Sequence, residues 1–505
     1  MSGSLLVLLF IVILLIISIL ELPYLHMFQL NSYDTKEHLD WFSREGNFVK
    51  TVFKVRQVKK AKKPLVWTSR VKRLEATIEI LLILSLLLSF LVSSWFVIFL
   101  AVVFFFAPIF ANWINYPIES YIRNWYIKDA KRILKASPDL LVIGITGSYG
   151  KTGVKNYLTK LLNSKYNVLM TPASYNTPMG IVKTIRNDLR SYHEIFVCEM
   201  GAKKVGEIKE LCDIVNPTIG IITAIAEQHL ETFGSLNNIL KTKFELADAV
   251  RGKGPVFLNF DNSHIQEKIP TLNQTFVKYG TKEGADVLGA KIGANSLGTK
   301  FDIIFSDYFN SLNKNNLNSL KKSANLEKLS TPLLGVHNVT NLAGAIAVAK
   351  YLGVEDADIR YELRKIKSVE HRLSLKKVGE TLILDDAFNS NPDGSKAAID
   401  TLGLFFDRLK ILVTPGMVEL GAKEDYYNQE FGKYAAGICD VVILVGDLQT
   451  KSIQQGLADS KFTGDMIITD TVVEALARAH SYETTKKRAI LIENDLPDNY
   501  SGGKA

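Results

Sequence analysis

Cysteine is nearly absent from this chain: three residues in 505, Cys198, Cys212 and Cys439. So few thiols so far apart exclude a disulfide framework and a four-thiolate zinc site, and they imply a reduced compartment. Also missing is any platform of interleaved basic and aromatic residues, which removes nucleic acid as the partner for the net charge of +8. A cleaved signal peptide is equally unsupported. No Lys or Arg precedes the aliphatic run Leu5 to Leu20, and Glu21-Leu22-Pro23-Tyr24 after it offers no small-residue cleavage site.

What the sequence has in excess is apolar residues near its start. Leu5 to Leu20, Ile78 to Val92 and Phe96 to Phe110 are nearly all aliphatic or aromatic, each near the lower limit of the ~17 to 25 residues that span a bilayer. They predict three transmembrane helices at about residues 4–21, 77–93 and 95–112 within a membrane region 1–118, with a basic linker 22–76. Lys50, Lys54, Arg56, Lys59, Lys60, Arg70 and Arg73 lie in that linker, and Arg123, Lys128, Lys131 and Arg132 follow the third run. By the positive-inside rule both flanks face the cytoplasm. The expectation is a multi-pass membrane protein, N-terminus outside, whose charge meets anionic lipid of the bilayer.

From Ile122 onward short β-rich runs alternate with helical patterns, as expected of an α/β protein with a parallel sheet flanked by helices. Leu140 to Ile145, Ile195 to Cys198, Thr218 to Thr223 and Val256 to Asn259 belong to a P-loop doubly wound central domain, 119–370. Thr381 to Asp385, Lys410 to Thr414, Val441 to Val445 and Arg488 to Ile492 belong to a smaller Rossmann-like C-terminal domain, 371–505. The polar interval Ser306 to Ser330 reads as a long surface loop or an elaborated hairpin.

Thr146-Gly147-Ser148-Tyr149-Gly150-Lys151-Thr152 follows the first of these strands and opens a helix bearing Val154, Tyr157, Leu158, Leu161 and Leu162. In such a loop the glycines let backbone N–H groups approach phosphates, Lys151 reaches the terminal phosphates and the Thr152 hydroxyl reaches Mg²⁺. ATP is the expected ligand, although the general pattern G-x-x-x-x-G-K-[ST] wants glycine where Ile145 stands, and Gly144 is one place early.

Polar residues at carboxyl ends of strands carry extra weight in a doubly wound sheet. Glu199 ends one strand, His229 follows the next across a short loop, and Lys243 lies on a helix after a Ser235 cap. Each has an ordinary alternative: a helix-cap acid, a surface imidazole, and half of a solvated ion pair. Farther on stand His337-Asn338 at a helix start, His371-Arg372 at the hinge, and Asp385-Asp386 to Pro392 after a strand.

Together these residues resemble the Mur ligase family of ATP-dependent amide-forming ligases. Tyr175-Asn176-Thr177-Pro178-Met179-Gly180, Glu199-Met200-Gly201-Ala202, Gln228-His229-Leu230, Thr242-Lys243-Phe244-Glu245, Gly335-Val336-His337-Asn338 and His371-Arg372-Leu373 fall in the family's order after the phosphate loop. Asp385 to Pro392 and Gly416 to Gly421 look like the branch that adds D-alanyl-D-alanine to a muramoyl tripeptide. The resemblance implies that Thr146, Gly147, Ser148, Gly150, Lys151 and Thr152 hold ATP, that Thr152, Glu199, His229 and a carbamylated Lys243 bind two Mg²⁺, and that Asn338 lies against the adenine. Arg372 and Asp386 would close the last domain onto the nucleotide, and Asn176 and Thr177 would sit by the phosphates or acceptor. Lys151, Lys243, His229 and Arg372 would be the catalytic set. An acceptor carboxylate would attack the γ-phosphate, and an amine would displace phosphate from the acyl phosphate.

Two departures concern the acceptor. The soluble domain that grips the UDP-sugar in that branch is replaced by the apolar N-terminal region. The lysine-glycine-serine-arginine stretch expected near the C-terminus is replaced by the acidic Ile492 to Asp498. The expectation is therefore a membrane-anchored ligase joining an amino acid or short peptide to a cell-envelope precursor, with other envelope-synthesis enzymes as further partners. Dipeptide addition to the UDP-muramoyl tripeptide, polymer synthesis of the poly-γ-glutamate type and a non-catalytic ATP-binding module are the alternatives.

Overall fold

In the computed structural model, the described residues are 3–45, 63–91, 96–228, 230–314, 324–388 and 390–494. They fall into two compact units, Met1–Tyr126 and Ile127–Asp495.

The first unit is helical: α1 (Gly3–Leu30), α2 (Thr35–Glu45), α3 (Ser69–Leu91) and α4 (Phe96–Lys135), the last running past the unit's end. The apolar runs do form helices, but the transmembrane expectation is corrected: among the described residues no helix is long and apolar enough to cross a membrane. The physical reason lies in what the helices carry and touch. Leu25 and Phe28 of α1 bury themselves against Val71, Leu74, Ile78 and Leu82 of α3, with Ala107 and Ala111 of α4. Polar groups share the same helices. Glu21 and Pro23 lie within α1, α3 opens with Arg70, Lys72, Arg73 and Glu75, and Arg73 makes a two-pronged contact with Glu119 at 2.6 and 3.0 Å. The multi-pass location, the outside N-terminus and the bilayer as partner depended on three crossings and go with them. Most of the basic linker, residues 46–62, lies outside the described residues.

The second unit holds two sheets. The larger has the order β2-β3-β1-β4-β5-β6-β7-β8-β9, with β1 Leu141–Thr146, β2 Val168–Met170, β3 Ile195–Glu199, β4 Ile219–Ile222, β5 Val256–Asn259, β6 Phe276–Gly280, β7 Val287–Asn295, β8 Gly298–Phe305 and β9 Leu326–Thr331. Strands β1 to β7 pair in parallel, and β7-β8-β9 form an antiparallel extension. Its core joins Ile143, Ile145 and Ile221 to Leu158 and Leu161 of α5 (Lys151–Leu162) and to Ile346 of a later helix. Each such side chain contributes roughly 1.5 to 3 kcal/mol on burial. Three more helices concern the site: α6 (Leu236–Val250), α7 (His337–Tyr351) and α8 (Pro392–Gly403).

Of the two readings of the polar interval, the elaborated hairpin holds and the long loop does not. Asp307–Lys314 is helical and β9 pairs with β8, while residues 315–323 are outside the described set. A bulge between Phe301 and Ile303, with Lys328 at φ 52°, breaks the alternation that would have marked β9.

The smaller sheet has the order β10-β11-β15-β12-β13-β14, with β10 Ser374–Val378, β11 Thr381–Asp386, β12 Leu409–Thr414, β13 Val441–Val445, β14 Asp465–Thr469 and β15 Arg488–Glu493. All pairs but β10-β11 are parallel. Leu412 and Leu491 face one layer, Ile411, Val413 and Ile490 the other, so both faces are buried and the strands read as continuous apolar runs. A final helix, α9 (Glu424–Ala436), covers the first of these layers through Phe431 and Ala435.

Candidate active site

The loop between β1 and α5 is pinned to the end of β4. Ser148 N–H donates to the Ala224 carbonyl at 2.7 Å, Ser148 Oγ and the Ala226 backbone exchange hydrogen bonds near 3 Å, and the Thr223 hydroxyl donates to Tyr149 O. Thr146 Oγ1 donates to Met200 O at 3.0 Å. Gly150, at φ 80°, caps α5 in a left-handed turn, and a Cβ on Gly147 (φ 153°) would drive into Thr223 Oγ1 and stand 2.9 Å from Ala224 N. A Gly147→Ala change is therefore expected to destabilise by about 2 to 4 kcal/mol and abolish nucleotide binding. Thermal denaturation and nucleotide titration check it; a variant as stable and as competent as the parent would refute the packing argument. Gly144, the early glycine, has a packing reason: a Cβ there would meet Leu246 at 2.7 Å and Met200 at 3.1 Å.

Lys151, at the first turn of α5, points back over the loop and donates to Gly147 O at 2.7 Å and Ser148 O at 3.1 Å. Burial, opposed by the Glu199 charge and aided by that of Arg372, lowers its pKa to about 8. Thr152 Oγ1 donates to Glu199 Oε1 at 3.2 Å, and Asn176 Nδ2 reaches the same oxygen at 3.2 Å. Asn176 is held in turn by its carbonyl, which accepts from Gly201 N at 2.8 Å. Thr177 is exposed and caps the following helix, accepting from Gly180 N at 3.3 Å.

Glu199 is 1% exposed at the end of β3. Its Oε2 accepts no hydrogen bond from a described residue, although Lys155 Nζ stands 3.1 Å away. Lys155 is fully buried, donates to Ala173 O, and went unnoticed in the sequence reading. The signal was present: a lysine one turn beyond Lys151, on the α5 face that also carries Leu158 and Leu162, requires a buried anion. A carboxylate oxygen, Oε1, facing a threonine hydroxyl at 3.2 Å is the oxygen donor set of a hard divalent cation, so these residues fit Mg²⁺.

Lys243 lies on α6, whose start is capped as the sequence suggests, Ser235 Oγ accepting from Asn238 N at 3.3 Å. The residue is 3% exposed and its ammonium stands 5.7 Å from the centre of the Phe233 ring. No hydrogen bond or ion pair joins Nζ to another described residue. Burial first, and the charge of Lys151 second, lower its pKa to about 7. It is thus not half of a solvated pair; Glu245 instead accepts from the backbone of Gly206 and Lys209 at 2.9 Å. His229 lies outside the described residues.

Asn338 is buried at the start of α7, its amide engaged by Tyr157 Oη at 2.9 Å, Leu334 O at 2.7 Å and His337 Nε2 at 3.0 Å. Arg372 sits between two left-handed residues, His371 at φ 57° and Leu373 at φ 51°. Its guanidinium lies over the Phe388 ring at 4.2 Å. It feels Asp386 and Glu199 electrostatically. His371 Nδ1 and Lys376 Nζ both engage Asp385, at 2.9 and 2.7 Å, and the Leu373 amide donates to Asp386 Oδ1 at 3.0 Å. The two sheets are also tied together: Glu227 accepts from Lys423 Nζ at 2.7 Å and from Tyr427 Oη at 2.7 Å, and Tyr149 Oη meets Asp393 at 3.4 Å.

The fold thus gathers Lys151, Thr152, Asn176, Glu199 and Arg372 about one cleft, with Lys243 close enough to act on Lys151. Thr177 serves its own helix, and Asn338 is spent on internal hydrogen bonds.

Comparison with known proteins bears on this cleft. A Mur ligase middle domain matches residues 145–349, and a Mur ligase glutamate ligase domain matches residues 371–493. The chain is 32% identical over 295 residues to UDP-N-acetylmuramoyl-tripeptide–D-alanyl-D-alanine ligase of Bacillus subtilis (strain 168), covering 58% of this chain and 59% of the relative. It is 28% identical to the enzyme of that name from Haemophilus influenzae, covering 71% of each. The chain therefore spans about three fifths of the length of the Bacillus relative. Among solved structures, MurF from Acinetobacter baumannii superposes with a TM-score of 0.63 at 24% identity, covering 75% of this chain and 78% of that one. MurF ligase from Thermotoga maritima in complex with ADP gives a TM-score of 0.61 at 24% identity, covering 74% and 80%.

Proposed function

The chain belongs to the Mur ligase family, and from that premise we propose that it is an ATP-dependent ligase. In this reading it joins a carboxylate of a peptidoglycan-type precursor to an incoming amine through an acyl phosphate. One observation carries the reading: Lys151, Lys155 and Arg372 gather about a single carboxylate, Glu199, with Lys243 close enough to act on Lys151. An excess of buried positive charge at a glycine-rich loop and helix start is a polyanion site, and the triphosphate supplies the opposite charge.

Each residue then has a task. The loop amides and Lys151 bind and orient the phosphates. Thr152 and Glu199 would hold Mg²⁺, which when bound neutralises charge on the oxygens it touches. Lys155 fixes the Glu199 carboxylate so that Oε1 faces Thr152. Arg372, brought over from the second sheet, adds a cation to the phosphate side and helps exclude water from the reactive acyl group. A carbamate on Lys243 would turn an unfavourable cation beside a metal into an oxygen ligand.

The names of the relatives support D-alanyl-D-alanine as amine and UDP-muramoyl tripeptide as acceptor. The test is ADP formation by the purified full chain with ATP and Mg²⁺. Turnover should require both the tripeptide precursor and the dipeptide, and a ligated product should appear in equal amount. ADP release indifferent to both, or dependent on glutamate alone, would remove this substrate assignment.

A further inference from the structure

At the carboxyl ends of β11 and β15 two acids stand side by side. Asp386 and Glu493 are register partners on adjacent parallel strands, so their carboxyl groups project side by side from the same face of the sheet. Two neighbouring carboxylates, one of them buried, repel each other unless one keeps a proton. The surrounding contacts say where it resides. Glu493 is 1% exposed; its Oε1 accepts from Ser390 Oγ at 2.6 Å, while its Oε2 is buried and receives no hydrogen bond from a described donor. Asp386 is the better acceptor, with the Leu373 amide on Oδ1 and Arg372 within electrostatic reach.

We propose that Glu493 keeps a proton at neutral pH and donates it to Asp386, so that the two acids present one negative charge to Arg372 instead of two. Glu493 is thereby a positioning residue for that guanidinium. The inference rests on the ligase reading for its consequence, since Arg372 matters only if an anion occupies the cleft.

Among the described residues, the other charges near the pair are engaged elsewhere. Asp385 is engaged by His371 and Lys376. On its other side β15 borders β12, whose end, Val413 and Thr414, carries no charge, and Asn494 donates to Gly416 O at 2.6 Å. Burial raises both acids, Asp386 to about 6 and Glu493 farther, with the Asp386 charge adding to the latter. Loss of the Glu493 proton would add a second negative charge beside Arg372 and draw the guanidinium away from the phosphates.

The experiment compares the full-length chain with Glu493→Gln, which keeps a donor and cannot ionise. Affinity for Mg-ADP is measured from about pH 6.5 to about pH 9, and the infrared carbonyl band of a protonated carboxylic acid is recorded at neutral pH in the absence of nucleotide. We expect affinity to weaken about tenfold more in the parent than in the variant across that range, and one protonated-acid band in the parent that the variant lacks. Should Glu493→Gln fail to fold, Glu493→Asp should shift the band. Equal pH slopes, or no protonated acid at neutral pH, overturn the inference. Failure of both proteins to bind Mg-ADP at any pH would instead sink the ligase reading, and the infrared band would still decide where the proton lies.

Discussion

Replacing Lys151 with methionine is expected to reduce ADP formation by at least about 100-fold, with the fold intact. The magnitude follows from removing one preorganised charge from a site where negative charge is concentrated. The fold survives because Nζ makes only two bonds, to Gly147 O and Ser148 O, both within its own loop. The same lysine predicts a pH effect of definite sign. Its folded pKa, about 8, lies below that of an exposed lysine because burial disfavours the ammonium. Between about 8 and about 10.5 the unfolded chain binds more protons than the folded one, so this group makes stability rise with pH across that window. A bound triphosphate reverses the balance and restores the proton. Calorimetric titration of Mg-ADP at about pH 9, in buffers of different ionisation enthalpy, should register proton uptake in the parent and less in Lys151→Met. Turnover by the variant within a few-fold of the parent would show that Lys151 only braces the loop.

Much of this site could be read from the chain because its parts are local. The loop glycines, the strand before them and the helix after them lie within about one supersecondary unit, and their physical demands show in consecutive residues. Glu199 was legible from its position at a strand end, whereas Lys243, beyond a serine cap, was singled out only by the family resemblance. Lys155 was not, because its burial depends on Glu199, which is distant in sequence. Strand β9 was hidden by a bulge, and the antiparallel edge β7-β8-β9 left no periodicity that a parallel reading would catch. The apolar N-terminal runs misled for a related reason. A run of leucines records apolar character without saying whether lipid or another helix meets it; here Leu14 and Ile17 pack on the cluster of Val71, Leu74 and Ile78, while Val12, Leu15, Ile16 and Ile19 stay exposed.

Lys243 gives the second large effect. Lys243→Ala should lower ADP formation by about 100-fold or more, and Lys243→Arg should not rescue it. Burial sets the cost: an ammonium with no hydrogen bond or ion pair to a described residue, 3% exposed and close to Lys151, is costly to keep charged. With its pKa lowered to about 7, a large share of Lys243 is neutral amine near neutral pH. Neutral amine is the form that adds to carbon dioxide, giving a carbamate and releasing a proton. The product is an oxygen anion within reach of the Lys151 charge, and the interaction that disfavours the ammonium favours the carbamate. An arginine stays charged and cannot react. Activity should therefore fall as pH drops through about 7. It should also fall when the parent is exhaustively stripped of carbon dioxide, and return on addition of bicarbonate, with a mass increase of one carbon dioxide confined to the peptide containing Lys243 under conditions that preserve carbamates. A Lys243→Ala protein with undiminished ADP formation, or a parent indifferent to carbon dioxide, would leave the buried lysine a structural cation and return the search for the second metal ligand to the residues around Glu199.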